Sequence, residues 1–281
     1  SRQGTQLASR GALANLPLAP FLALLEPAPP VSTDLRIGGE WNLRADDTLD
    51  GQLRLRRESG DVRLTEPVLD LGLTTLALEV DAEAGRVSAR VEAASREAGQ
   101  LSAEGRATLV RSGAAFTLPR TTPLAWTARL DVPDLRLLRP FLPVGTRIDA
   151  RVNAQLSGGG TLAAPRIDGR LDADAIRFAM PEEGISVTDG TLRLVLDDDR
   201  VRVQEGELKG QSGRVVVGGE AQLRNPQAGL TLTFEKFAAT NRSDRRVIVS
   251  GVSRLAFSQQ RLRLEGELRA ARARLAMPEA S

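Results

Sequence analysis

Aliphatic and charged side chains alternate with a period of two along most of this chain. That pattern makes strands with one face turned away from water and suits no helix. Ile148, Val152 and Leu156, with Ala150 and Ala154 between them, alternate with Arg147, Asp149, Arg151, Asn153 and Gln155. The pattern recurs over Ile167 to Leu171 and at Leu192, Leu194 and Leu196. It resumes after the Asp197-Asp198-Asp199 turn at Val201 and Val203. Val215 and Val217, then Leu230, Leu232 and Phe234, then Val247 and Val249, then Leu262 and Leu264 complete the later strands. Earlier runs lie at Leu76 to Val80, Val87 to Val91 and Trp126 to Leu130. About seventeen short strands are expected, punctuated by Gly, Asp and Pro turns. At Ala270-Ala271 the alternation changes phase, which predicts a turn or bulge that re-aims the last strand. Only Leu13 to Leu25 and Pro133 to Phe141 lack the pattern, and each is expected to form one to three helical turns.

The chain also repeats itself. Gly85 to Leu109 lies over Asp199 to Leu223 without a gap, so Val87, Gly99, Gly105 and Leu109 fall 114 positions before Val201, Gly213, Gly219 and Leu223. A Pro-Phe pair, an alternating strand and then Thr48 to Gly51 are matched by a second Pro-Phe pair, a strand and then Arg166 to Gly169. Two units follow, residues 1–132 with a short N-terminal helix and 133–281 continuous with it, as in arrays that grow by adding strands. Turns this short permit no crossover, so neighbouring strands are antiparallel.

A closed sandwich or barrel would be filled with bulky side chains. Here the inward set is Leu, Val, Ile and many Ala. The expectation is therefore an all-β, elongated, curled antiparallel sheet forming a trough with an apolar concave face. Its lining is the aliphatic set named above, from Ile148 to Leu264. Seventeen strands at the usual spacing would span on the order of 80 Å.

Composition removes most chemistry. The chain has no His, no Cys and no Tyr, so imidazole bases, thiolate nucleophiles, zinc sites and disulfides are absent. No catalytic residue, metal or cofactor is expected, and the chain reads as a protein that is not an enzyme. The sequence pI near 9.8 does not signal nucleic acid. The formal net charge is only +2, the cations are almost all Arg, and basic residues alternate with acidic ones. Asp197-Asp198-Asp199 lacks the Gly and Glu of a calcium loop and reads as a hairpin turn. Gly158-Gly159-Gly160 has no following Lys-Ser/Thr and reads as turn or bulge. Glu205 and Glu207 share a charged face with nothing to desolvate them. The longest apolar stretch, Leu13 to Leu25, is shorter than the roughly 20 residues of a membrane span and contains two prolines.

Several runs resemble the TamB family of proteobacterial periplasmic proteins, within the AsmA-like group of bridge-forming lipid transporters. They are Asn15 to Leu25 (NLPLAPFLALL), Gly158 to Leu171, Asp189 to Val203, and Val249 to Leu275. The resemblance implies a hydrophobic β-trough that crosses the periplasm from an inner-membrane anchor. It also implies phospholipid acyl chains as cargo, and an outer-membrane partner of the Omp85 class, TamA, met through the full-length protein. It implies a part in outer-membrane biogenesis. An alternative under the same resemblance is a scaffold for assembly and secretion of outer-membrane proteins by β-augmentation. The chain is expected to be a segment whose membrane anchor lies elsewhere.

Overall fold

The structure is a computed structural model and describes residues 7–22, 30–113, 115–258 and 261–275. The fold is all-β and antiparallel, with twenty strands among the described residues in place of the seventeen expected. Fifteen form the main sheet, and the other five, of three or four residues each, carry no alternation long enough to read. The chain divides into two compact units: Ser1–Asp131 with Gln155–Ile167, and Val132–Ala154 with Asp168–Ser281.

In the first unit the strands are β1 (Leu7–Pro17), β2 (Val31–Thr33), β3 (Arg36–Ala45), β4 (Leu49–Ser59), β5 (Val62–Thr65), β6 (Val68–Asp70), β7 (Leu73–Glu83), β8 (Arg86–Ser95), β9 (Gly99–Thr108), β10 (Val110–Ser112), β11 (Ala115–Thr117) and β12 (Ala125–Val132). The sheet runs β1-β3-β4-β7-β8-β9-β12, with β2-β5-β6 and β10-β11 as separate ladders. The expected helix over Leu13 to Leu25 is largely absent. Leu13 to Pro17 is strand, and only α1 (Ala19–Leu22) makes a helical turn; residues 23–25 lie outside the described set. Pro17 and Pro20 withhold the amide donors a longer helix needs, while Leu13 and Leu16 find cross-strand partners in Gly39 and Ile37.

The second unit holds most of β13 (Arg147–Gly160) and β14 (Pro165–Met180), then β15 (Ile185–Asp197), β16 (Arg200–Gly210), β17 (Arg214–Gln222), β18 (Gln227–Asn241), β19 (Arg245–Ser258) and β20 (Arg261–Leu275). From β14 to β20 each strand pairs with the next in sequence, the order tight hairpin turns dictate. A 3-10 segment, Leu135–Phe141, precedes β13.

The sequence repeat holds at the level of single hydrogen bonds. Val87 faces Ala107 as Val201 faces Ala221, and Ala89 faces Gly105 as Val203 faces Gly219. The Leu109 amide donates to the Gly85 carbonyl at 2.8 Å, and the Leu223 amide to that of Asp199 at 2.9 Å. Gly99 and Gly213 both turn with positive φ, 83° and 66°. That backbone is open to glycine without strain, which is why the repeat keeps the residue.

Strong curl, expected from the small inward residues, is not found: no sheet is strongly curled. Small side chains leave room for curl without driving it. Driving it takes bulges repeated in the same sense, whereas the register shifts are scattered, near Leu13, Arg36 and Leu73 in the first unit and on β15, β16, β18 and β20 in the second.

Candidate functional site

Cross-strand register turns the alternation into apolar rows that run across the strands. In the second unit one row passes through Leu171, Leu194, Val203, Gly219, Leu230, Leu255 and Leu264. The next row passes through Gly169, Leu196, Val201, Ala221, Ala228, Phe257 and Leu262. A third joins Ala173, Leu192 and Gly206, and continues through Val217, Leu232 and Ser253. Ile167 shares the parity of Leu171 on β14. Ile148, Val152 and Leu156 share one side of β13 with the buried Ala150 and Ala154. Val247 and Val249 carry the parity of Leu255 on β19. The rows tie the members of this set on β14 to β20 together by register.

The first unit has rows of the same kind, which the expected lining omitted. One runs Gly11, Trp41, Leu53, Val80, Ala89, Gly105, Trp126, and its neighbour Leu13, Gly39, Leu55, Leu78, Val91, Ala103, Ala128. Both tryptophans of the chain stand in one row. Trp41 lies over Gly11 and donates from its indole Nε1 to Ser9 Oγ at 3.0 Å. The alternation at Leu76 to Val91 was signal enough to find these residues.

Little covers these faces. Buried hydrophobic residues are few, and no large side chain among the described residues is fully buried. On the edge strand β20, Leu262 is 68% exposed, Leu264 66% and Leu268 48%. An aliphatic face left in water is a binding surface or a liability.

One end of the second unit is different. Phe237, Val187 and Val215 are buried together, with Phe178, Leu208, Val217, Leu232 and Phe234 against them. Phe234 and Phe237, three residues apart on one strand, reach the same side because Lys236 between them has φ 50° and shifts the register. Their ring centroids are 6.1 Å apart. A Cβ on Gly210 would come within 2.7 Å of the Phe237 ring, so only glycine admits the contact. Beyond this cluster the Pro181–Gly184 turn meets the tip of β18. The Asn241 amide donates to the Gly184 carbonyl at 2.9 Å and Thr240 Oγ1 to that of Glu183 at 2.7 Å. This strap closes one rim of the apolar face. Strict alternation cannot reveal it, because it depends on shifts in β15, β16 and β18. The Phe-x-x-Phe spacing at 234–237 was the available sign.

The opposite face is polar. Arg193 sits 2.7 Å from Asp174 and 3.4 Å from Asp172, and Arg214 lies 2.9 Å from Glu235 and 3.1 Å from Glu207. The hydrogen bond that Arg193 donates to Asp174 and the adjacent carboxylates push the guanidinium pKa up despite partial desolvation. Glu207 is thus an ion-pair partner. In the first unit Asp61 clips the small β2-β5-β6 ladder to the main sheet. Burial raises its carboxyl pKa, but amides of Leu73, Val62 and Gly72 at 2.9, 2.8 and 2.8 Å outweigh that and hold it below the usual range.

Fold and face together define an antiparallel β-repeat protein with apolar rows in each unit. Residues 205–281, from within β16 onward, match the family model of the TamB C-terminal domain. The resemblance read from the sequence is thereby borne out. No curated protein and no solved structure matches the chain. No helix among the described residues is long and apolar enough to cross a membrane.

Proposed function

We propose that the apolar rows carry phospholipid acyl chains, as a segment of a periplasmic bridge that conducts lipid between inner and outer membrane. The supporting observation is the row from Leu171 to Leu264, which crosses seven strands with only Gly219 interrupting the aliphatic series. Each CH2 group removed from water on such a surface contributes about 0.8 kcal/mol, and no catalytic residue or cofactor is required. The strap between the Pro181–Gly184 turn and β18 closes one rim, so headgroups project from the opposite one. Inner-membrane anchoring and contact with the Omp85-type partner TamA belong to the full-length protein in this reading.

Parity tests it. A photo-crosslinker at Val203 or Leu264 is expected to capture phospholipid, and the same probe at Arg202 or Arg263 is not, because adjacent strand residues face opposite sides. Equal capture at the two parities would end the reading. A second reading has its own observation. The outer edge of β20 has no partner strand among the described residues and bears exposed leucines, which suits β-augmentation by an outer-membrane protein strand. Peptide instead of lipid co-purifying with the chain would favour it.

A further inference from the structure

The chain holds 36 acids against 38 bases, and a few stretches carry bases alone. From Leu135 to Arg147 the sequence LRLLRPFLPVGTR holds three arginines and no carboxylate, set among Leu, Phe, Val and Pro. This stretch enters β13 within the second unit.

Two backbone turns shape it. After the 3-10 segment the Leu142 amide donates to the Arg139 carbonyl at 3.1 Å, and the Thr146 amide to that of Pro143 at 3.0 Å. Between them the tip points into open space. Phe141 is 52% exposed and Val144 94%, and nothing lies within 4 Å of a Cβ built on Gly145. Arg139 and Arg147 are exposed and form no ion pair among the described residues. The repeat supplies an internal control. At the first Pro-Phe pair Phe21 is 50% exposed, but its helical turn carries no basic residue.

We propose that the loop from Leu135 to Arg147 docks on the surface of an anionic phospholipid bilayer. Phe141 and Val144 enter the boundary between headgroups and acyl chains, and Arg139 and Arg147 meet lipid phosphates. An apolar tip flanked by cations of one sign is the chemistry of interfacial lipid binding. A protein partner would instead be met by mixed charge around a packed pocket. The docking does not depend on the acyl-chain track, since it concerns a loop and intact bilayer in place of single lipids on the sheet.

The test is flotation of the 281-residue chain with vesicles. One set is phosphatidylcholine with phosphatidylglycerol, the other phosphatidylcholine alone. The chain is expected to float with the anionic set, less so as salt screens the arginines. Phe141→Ser with Val144→Ser should weaken this by about tenfold or more. Arg139→Gln with Arg147→Gln should remove the preference for the anionic set, and Phe21→Ser should change nothing. Circular dichroism on each variant confirms that the sheets persist. The proposal is overturned if the wild type does not float, floats equally with both sets, or loses as much through Phe21→Ser as through the loop pair. Crosslinking at Val203 is expected to survive the loop substitutions, which separates the two ideas.

Discussion

Phe237 shows how much can rest on one side chain in a protein with so little interior. It is 6% exposed and sits where side chains of β14, β15, β16, β17 and β18 converge. Phe237→Ala is expected to cost about 3 kcal/mol or more in urea unfolding, because the strap above it keeps the cavity from collapsing. Asp61 acts differently, as a polar clip. Asp61→Ala should cost about 1–3 kcal/mol, since three backbone donors lose their acceptor. Its folded-state pKa is depressed, so its contribution is complete above the ordinary value near ~3.9 and is lost as pH falls through the lower folded value. Unfolding curves of wild type and Asp61→Asn should therefore converge in strong acid and separate above about pH 4. Neither residue was legible in advance. Phe237 has the wrong parity for its strand until Lys236 shifts the register, and Asp61 finds its partners in residues up to 12 positions away.

At the scale of strands, parity was legible because a pleated strand leaves no other way to separate Leu from Arg. The bulge near Ala270-Ala271 was read from the phase change alone. The structure pairs Ile248 with Arg272 and Val249 with Ala270, leaving Ala271 as the extra residue. Deleting Ala271 should restore a regular ladder and change stability by less than about 0.5 kcal/mol. Deleting Glu265 should swing Leu262 and Leu264 to the charged side, and a lipid-directed probe at Leu264 should then fall silent. Helical stretches were the least legible elements. Leu13 to Pro17 has enough apolar content for a helix, yet its prolines and the open edge of β3 make strand pairing the better outlet for its backbone groups. Hairpin geometry was legible in kind. Gly213→Ala should cost more than about 1 kcal/mol, because φ is positive and the added carbon meets the backbone of Glu235 and Lys236.

For the molecule as a whole, the repeat was visible in spacing before any coordinates, since equal turns impose equal intervals. The strong curl expected from the sequence was not found, because curl depends on where bulges fall and not on how large the inward side chains are. The fragment 133–281 is expected to keep a β-type circular-dichroism spectrum and to self-associate in sedimentation through an unpaired strand edge. A random-coil spectrum would mean that the two halves fold only together. The rows carry one more consequence. Their side chains recur at the strand spacing, about 4.8 Å, a pitch set by backbone hydrogen bonds. The methylenes of a hydrocarbon lying along a row recur on a much finer pitch, so the two gratings are incommensurate. In the proposed conduit no position along the row would be a locking point, and friction against the floor would stay low wherever an acyl chain lay.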